Sequence, residues 1–259
     1  MAAAAPAPSS HLAELQALLL HASAPAQALA SRHGYQQRYL TAHRDSPKAA
    51  LAGLEATAAW RATAIQPSYT CSMCAAKPGS HCFVSLGRDS SGAALIYGCP
   101  SRASEGGEVD RTMAHCANSL EKQWEGEGEA GSGSSGTWVW IVDFRDFGFT
   151  HALQARLGIA LATTFRDHFP ERLKAIVLLN PPLLFKGLVA AIGAVADART
   201  LAKLKVLEAP GPQQLCQRLR AEHGVENAEV LEWLQRTLTE PSVPGTLPPL
   251  PQHLLHLQV

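Results

Sequence analysis

The sequence has no excess of charge of either sign: 22 Lys and Arg stand against 22 Asp and Glu. No global field steers such a chain to nucleic acid or to an anionic surface, so any attraction of that kind must be local. Long hydrophobic runs are also missing. The longest clear ones, Ala175 to Leu179 and Leu188 to Val195, fall far short of the ~20 residues that span a bilayer. The opening stretch MAAAAPAPSSHLAELQALLLHASAPAQALA has no basic n-region and no arginine before Arg32. That argues against a secretory or mitochondrial signal and leaves an Ala/Ser-rich organelle transit segment as the alternative. Without a secretory signal, the six cysteines read as reduced thiols or metal ligands and not as a disulfide framework. Nucleophile elbow, P-loop, Gly-x-Gly-x-x-Gly after a strand and His-Glu-x-x-His are all absent, so no enzyme class is indicated.

What is present is a chain of 259 residues, 46% hydrophobic, with enough apolar material for one large domain or two small ones. Residues 1–27 form an Ala/Pro tail with one short helix in SSHLAELQALLL. Between Ala28 and Ala62, Tyr35, Tyr39, Leu40, Ala50, Leu51, Leu54 and Trp60 recur at helical spacing, interrupted by Asp45-Ser46-Pro47. An N-cap residue followed by proline predicts two helices meeting at His43-Arg44-Asp45. HCFVSLGRDSSGAALIYGCP reads as a β-hairpin, followed by a helix over Val109 to Trp124. A flexible loop is expected at 125–137, in EGEGEAGSGSSG. TWVWIVDF, the helical spacing of Leu153 to Phe169, and AIVLLN then make a βαβ unit with parallel pairing. Leu183 to Ala196 returns to helical spacing, Leu204 to Leu207 is a candidate strand, and Gln213 to Leu238 holds one or two helices. The Pro-rich stretch 239–259 either docks its QHLLHL back or stays loose.

Two clusters have chemical potential. Cys71-Ser-Met-Cys74, with His81, Cys82, Cys99, His115 and Cys116 further on, holds enough soft ligands for a tetrahedral zinc ion. Its second ligand pair would have to be assembled from distant elements, and the preferred reading is small buried thiols, with no metal ligand assigned and no cofactor. Asp143 and Asp146, beyond a strand end, are placed for acid–base work, but such residues more often cap the following turn.

The order of Phe169-Pro-Glu-Arg172, Asn180-Pro-Pro182, an apolar helix over Lys186 to Asp197 and Thr200-Leu-Ala-Lys203-Leu204 resembles the CRAL-TRIO lipid-binding domain. RYLTAHRDSPKAALAGLEATAAWR, Arg38 to Arg61, resembles the family's N-terminal helical pattern, and GRDSSGAALIYG resembles its hairpin. The departures from the pattern include the Ser/Gly-rich insertion, the cysteine-bearing segment at 71–82, the double proline, and His43 where the family has arginine.

The resemblance implies an α/β fold in which an N-terminal helical region, 28–64, precedes a lipid-binding domain, 68–238. That domain has a mixed, mainly parallel sheet flanked by helices, with a hydrophobic cavity floored by the sheet. It implies a gate helix whose apolar face is Leu188, Val189, Ile192 and Val195, and headgroup contacts from Glu171, Thr200, Lys203, His43 and Arg44. The expected protein is non-enzymatic and cytoplasmic. It binds and transfers a phospholipid such as phosphatidylinositol, docks transiently on membrane surfaces and does not bind nucleic acid. The rival expectation is a regulatory or scaffolding module with structural zinc at Cys71, Cys74 and Cys82 and a sensor-type or vestigial lipid pocket.

Overall fold

The computed structural model describes residues 10–125, 127–128, 133–152, 155–182 and 198–259. Its contacts divide the chain into two compact units: one holds residues up to Ala64 with Asp167–Glu171, the other Ile65–Arg166 with Arg172–Val259.

The first unit is helical: α1 (Ser10–Leu19), α2 (Ala24–Ala30), α3 (Tyr35–Ala42) and α4 (Pro47–Ala64). Their inward faces bury Leu15, Leu29, Tyr39, Leu40, Ala50 and Leu54 in one cluster. The chain enters α2 through Ser23, whose hydroxyl accepts from the Ala26 N–H (3.3 Å) and donates to the Glu55 carboxylate (2.5 Å). The break expected at His43-Arg44-Asp45 is present. Arg44 and Asp45 take left-handed conformations, and Ser46 caps a helix whose first residue is Pro47. His168 and Phe169 meet Trp60, near the end of α4, within this unit. Trp60 stacks on His168 with ring centroids 4.2 Å apart and takes the edge of buried Phe169 at 5.7 Å.

In the second unit a short helix α5 (Ser72–Ala76) precedes β1 (Phe83–Arg88), β2 (Ala94–Gly98), α6 (Val109–Lys122) and β3 (Trp138–Asp143). Then come α7 (Phe149–Ala152), α8 (Ala155–His168), β4 (Leu173–Leu179), α9 (Ala198–Ala202), β5 (Leu204–Leu207), α10 (Pro212–His223) and α11 (Ala228–Thr239). A 3-10 helix, Gln252–Leu257, follows. The five strands lie in chain order in one sheet; β1 and β2 are the expected antiparallel hairpin, and every later pairing is parallel. Alternation along the strands sends Leu95, Tyr97, Val139, Ile141, Val177 and Leu179 to one face. There they pack under α10 and α11 through Leu219, Val230, Trp233 and Leu234. Gly224, left-handed, and Asn227, which caps α11, split the predicted 213–238 segment into two helices.

Two expectations are sharpened. The C-terminal QHLLHL docks: Leu254 is buried in the core, and the Gln258 side chain pairs with edge strand β1. Its amide oxygen accepts from the Ser85 N–H (3.2 Å) and its amide nitrogen donates to the Ser85 carbonyl (2.9 Å). The described part of loop 125–137 is tied down where a flexible loop was expected. Ser135 donates its N–H to the Gly92 carbonyl (3.0 Å), and Arg88 donates to Ser134 Oγ (3.1 Å). Buried Arg172 donates to the Gly136 carbonyl (2.7 Å), pairs with Glu127 (2.8 Å) and lies 4.0 Å over the Trp124 ring. The low-complexity composition misleads because the described part of the loop contributes backbone groups, a serine hydroxyl and the Glu127 carboxylate, which serve the guanidinium groups of Arg88 and Arg172.

Candidate functional site

The second face of the sheet differs from the first. Trp140, Val142, Ile176, Leu178 and Leu204 gather there with Phe144 and Phe147. Trp140, Ile176 and Leu204 are only half-buried, and Val206, two residues beyond Leu204 on the same face, is 55% exposed. At one end, Phe83, Trp138, Trp140 and Phe165 interlock edge to face at 5.2–6.2 Å. A strand alternates, so Ile176 and Leu178 belong to this face while Ala175, Val177 and Leu179 are spent on the helix-packed core. Asn180 turns out of β4 with a positive φ, and its side-chain amide exchanges two hydrogen bonds with Ala209 (3.0 and 3.2 Å), locking the strand exit to the end of β5.

The expected headgroup residues are split between the units. Thr200 and Lys203 are in the second, three residues apart at the close of α9. The Lys203 N–H donates to the Thr200 carbonyl (3.1 Å), and the Lys203 carbonyl accepts from Ile176 (3.0 Å), which fixes the pair beside the half-buried strip. Both side chains are partly exposed. His43, Arg44 and Glu171 are in the first unit. His43 stacks on Tyr39 and presses its ring against Gly53, where any Cβ would meet His43 Nε2 at 2.6 Å. Burial holds its pKa below the ordinary histidine value, although Asp167 pulls the other way, so His43 is a neutral imidazole at pH 7. Arg44 is exposed, and Glu171 is half-buried with a left-handed backbone. The expected gate residues Leu188, Val189, Ile192 and Val195 lie outside the described residues.

The two strand-end carboxylates have structural partners. Buried Asp143 accepts from the Tyr97 hydroxyl (2.8 Å), the Arg145 N–H (3.0 Å) and the Arg145 guanidinium (2.8 Å). Arg145 in turn donates to the Glu240 carbonyl (2.7 Å) and to that of Thr237. Asp146 accepts from the Ser242 N–H and hydroxyl. Together they tie the C-terminal end of β3 to the end of α11.

The cysteines separate into two environments. Cys82 and Cys99 are buried in the helix-packed core, so the metal trio of the rival expectation, Cys71, Cys74 and Cys82, does not form. Cys71, Cys74, His81 and His115 converge instead, with one ligand atom from each within 4.8 Å of the others. Sequence reasoning named all four but could not join them, because His115 arrives from α6. His81 and Cys82, adjacent in sequence, go to opposite sides of the chain.

The match to known proteins follows the same architecture. Residues 79–224 match the model of the CRAL/TRIO domain, more than half the chain. Among solved structures, the crystal structure of Sfh5 is similar, with a TM-score of 0.59 and 14% identity over 81% of this chain and 77% of that one. No curated protein matches. Among the described residues, no helix is long and apolar enough to cross a membrane. With its ordered strands and its helix-backed sheet, the chain belongs to the CRAL-TRIO family of lipid-binding proteins.

Proposed function

We propose that this protein is a non-enzymatic carrier that takes up one phospholipid, phosphatidylinositol foremost, and exchanges it at the cytoplasmic surface of membranes. A lipid-binding role is what CRAL-TRIO membership supports. The observation that carries the reading further is the second sheet face, where Trp140, Ile176 and Leu204 are half-buried, Val206 is open, and the Lys203 backbone bonds Ile176 and Thr200. Each acyl methylene withdrawn from water onto such a face is worth ~0.8 kcal/mol, so a chain of ordinary length gives ample driving force. The Lys203 ammonium is suited to a phosphate, and the Thr200 hydroxyl to a ring hydroxyl. The assignments of Arg44, Glu171 and neutral His43 to the headgroup, and of residues 186–197 to the gate, rest on the resemblance.

The test is transfer of phosphatidylinositol between vesicles. Losing one charge-assisted bond worth about 1.5 kcal/mol lowers transfer by roughly tenfold, and Lys203→Ala is expected to show that loss. Unchanged transfer by folded Lys203→Ala and Thr200→Ala proteins contradicts the headgroup assignment.

A further inference from the structure

We propose that Cys71, Cys74, His81 and His115 form a closed, structural zinc site that fastens the segment before β1 to α6. The set is Cys₂His₂, the composition of tetrahedral structural zinc. Zinc–sulfur bonds of ~2.3 Å and zinc–nitrogen bonds of ~2.0 Å require ligand atoms roughly 3.3–3.8 Å apart, while the four here lie within 4.8 Å of one another. Cys74 Sγ and His115 Nδ1 are already at 3.8 Å. Cys71 and Cys74, three residues apart around the first turn of α5, project to the same side.

The tautomers follow from the surrounding hydrogen bonds. The Thr112 hydroxyl donates its single proton to the Glu105 carbonyl (3.1 Å). It can therefore only accept from His81 Nδ1, 3.2 Å away, which leaves His81 Nε2 as a bare lone pair. That nitrogen is buried and has no hydrogen-bond partner, on a residue only 5% exposed. His115 is the mirror case. Its Nε2 faces the Phe83 carbonyl at 3.1 Å and must carry the proton, so Nδ1 offers its lone pair toward Cys74. Each ring is thus oriented by a backbone carbonyl, directly or through a hydroxyl, in the manner of histidines that bind metals.

A structural need accompanies the geometry. Helix α5 buries none of its residues, so apolar packing does little to hold this segment. With four protein ligands there is no open position for a substrate, and the ion's work is to hold the fold. The buried neighbour Cys116 and the phenol of Tyr69 lie close by, outside the four. This inference does not rest on the lipid-carrier reading: a closed site fits either a carrier or a scaffold.

The test uses the full chain. Metal analysis after exhaustive dialysis is expected to find roughly one zinc per chain, as for a closed Cys₂His₂ site. Cys74→Ser and His115→Gln should each lose it, whereas Cys82→Ser should keep it. If the ligand variants do not fold, cobalt(II) added to the wild-type protein prepared without zinc decides the matter. The expected result is the intense visible bands of tetrahedral cobalt with thiolate charge transfer, abolished by competing zinc. A folded wild-type chain that holds no zinc and gives no such bands with cobalt overturns the proposal. Full retention of zinc by a folded Cys74→Ser/His115→Gln double variant overturns it equally.

Discussion

At Asp89 one carboxylate serves both ends of a long-range tie. Oδ1 accepts from the N–H (2.8 Å) and hydroxyl (2.7 Å) of Ser91 and from the Ala93 N–H (2.9 Å), closing the β1–β2 turn. Oδ2 takes the Lys174 ammonium at 2.5 Å, joining the turn to β4. Burial pushes the Asp89 carboxyl up, but these donors outweigh it and hold the pKa below the usual carboxylate value. The sign follows from a folded pKa lower than the unfolded one. The stabilisation is complete well above about pH 4, the ordinary aspartate value, and is lost as pH falls through the folded value. Asp89→Asn keeps the acceptor for the turn and loses the anion facing Lys174. It should cost about 1–3 kcal/mol in denaturant unfolding at pH 7, with the gap from wild type closing below about pH 4. A gap independent of pH contradicts the ion-pair account. Gly92 completes the turn: its φ is +81°, and a side chain there would collide with the Gly133 carbonyl.

Among the elements, the helices and strands were legible because their apolar periods are strong, and the resemblance put them in order. What escaped was everything fixed by a partner remote in sequence. The Cys71-x-x-Cys74 pair can be read directly. That it is joined by His81 instead of Cys82 depends on which way one peptide turns, with Cys82 at φ +43°. His115 enters because α6 lies against β1, through the Phe83 carbonyl. Docking of the C-terminal 3-10 helix was left open by the sequence, since it rests on buried Leu254 together with the Gln258 side chain, which stands in for a neighbouring strand. An unpaired sheet edge invites association with another chain. Removing residues 252–259 should therefore lower the unfolding midpoint and produce concentration-dependent association on size-exclusion chromatography. A monomeric deletion variant of wild-type stability contradicts the edge-capping role.

For the molecule as a whole, the two faces of one sheet have different roles. The face under α10 and α11 closes around Trp233 and Leu234 and is core. The other keeps Trp140, Ile176, Leu204 and Val206 incompletely covered next to a threonine and a lysine, and the lipid reading rests on that asymmetry. The sequence revealed this only in part: hydrophobic composition marks β4 as buried, yet one period-two strand supplies both faces. The headgroup chemistry was legible only through the resemblance, because a Thr and a Lys three residues apart carry no signature of their own. The most direct measurement is mass spectrometry of lipid extracted from the protein purified from lipid-containing cells. The account predicts roughly one phospholipid per chain, with phosphatidylinositol enriched over its share of the host membrane. A folded protein that carries no phospholipid and takes none up from phosphatidylinositol-containing vesicles would contradict it.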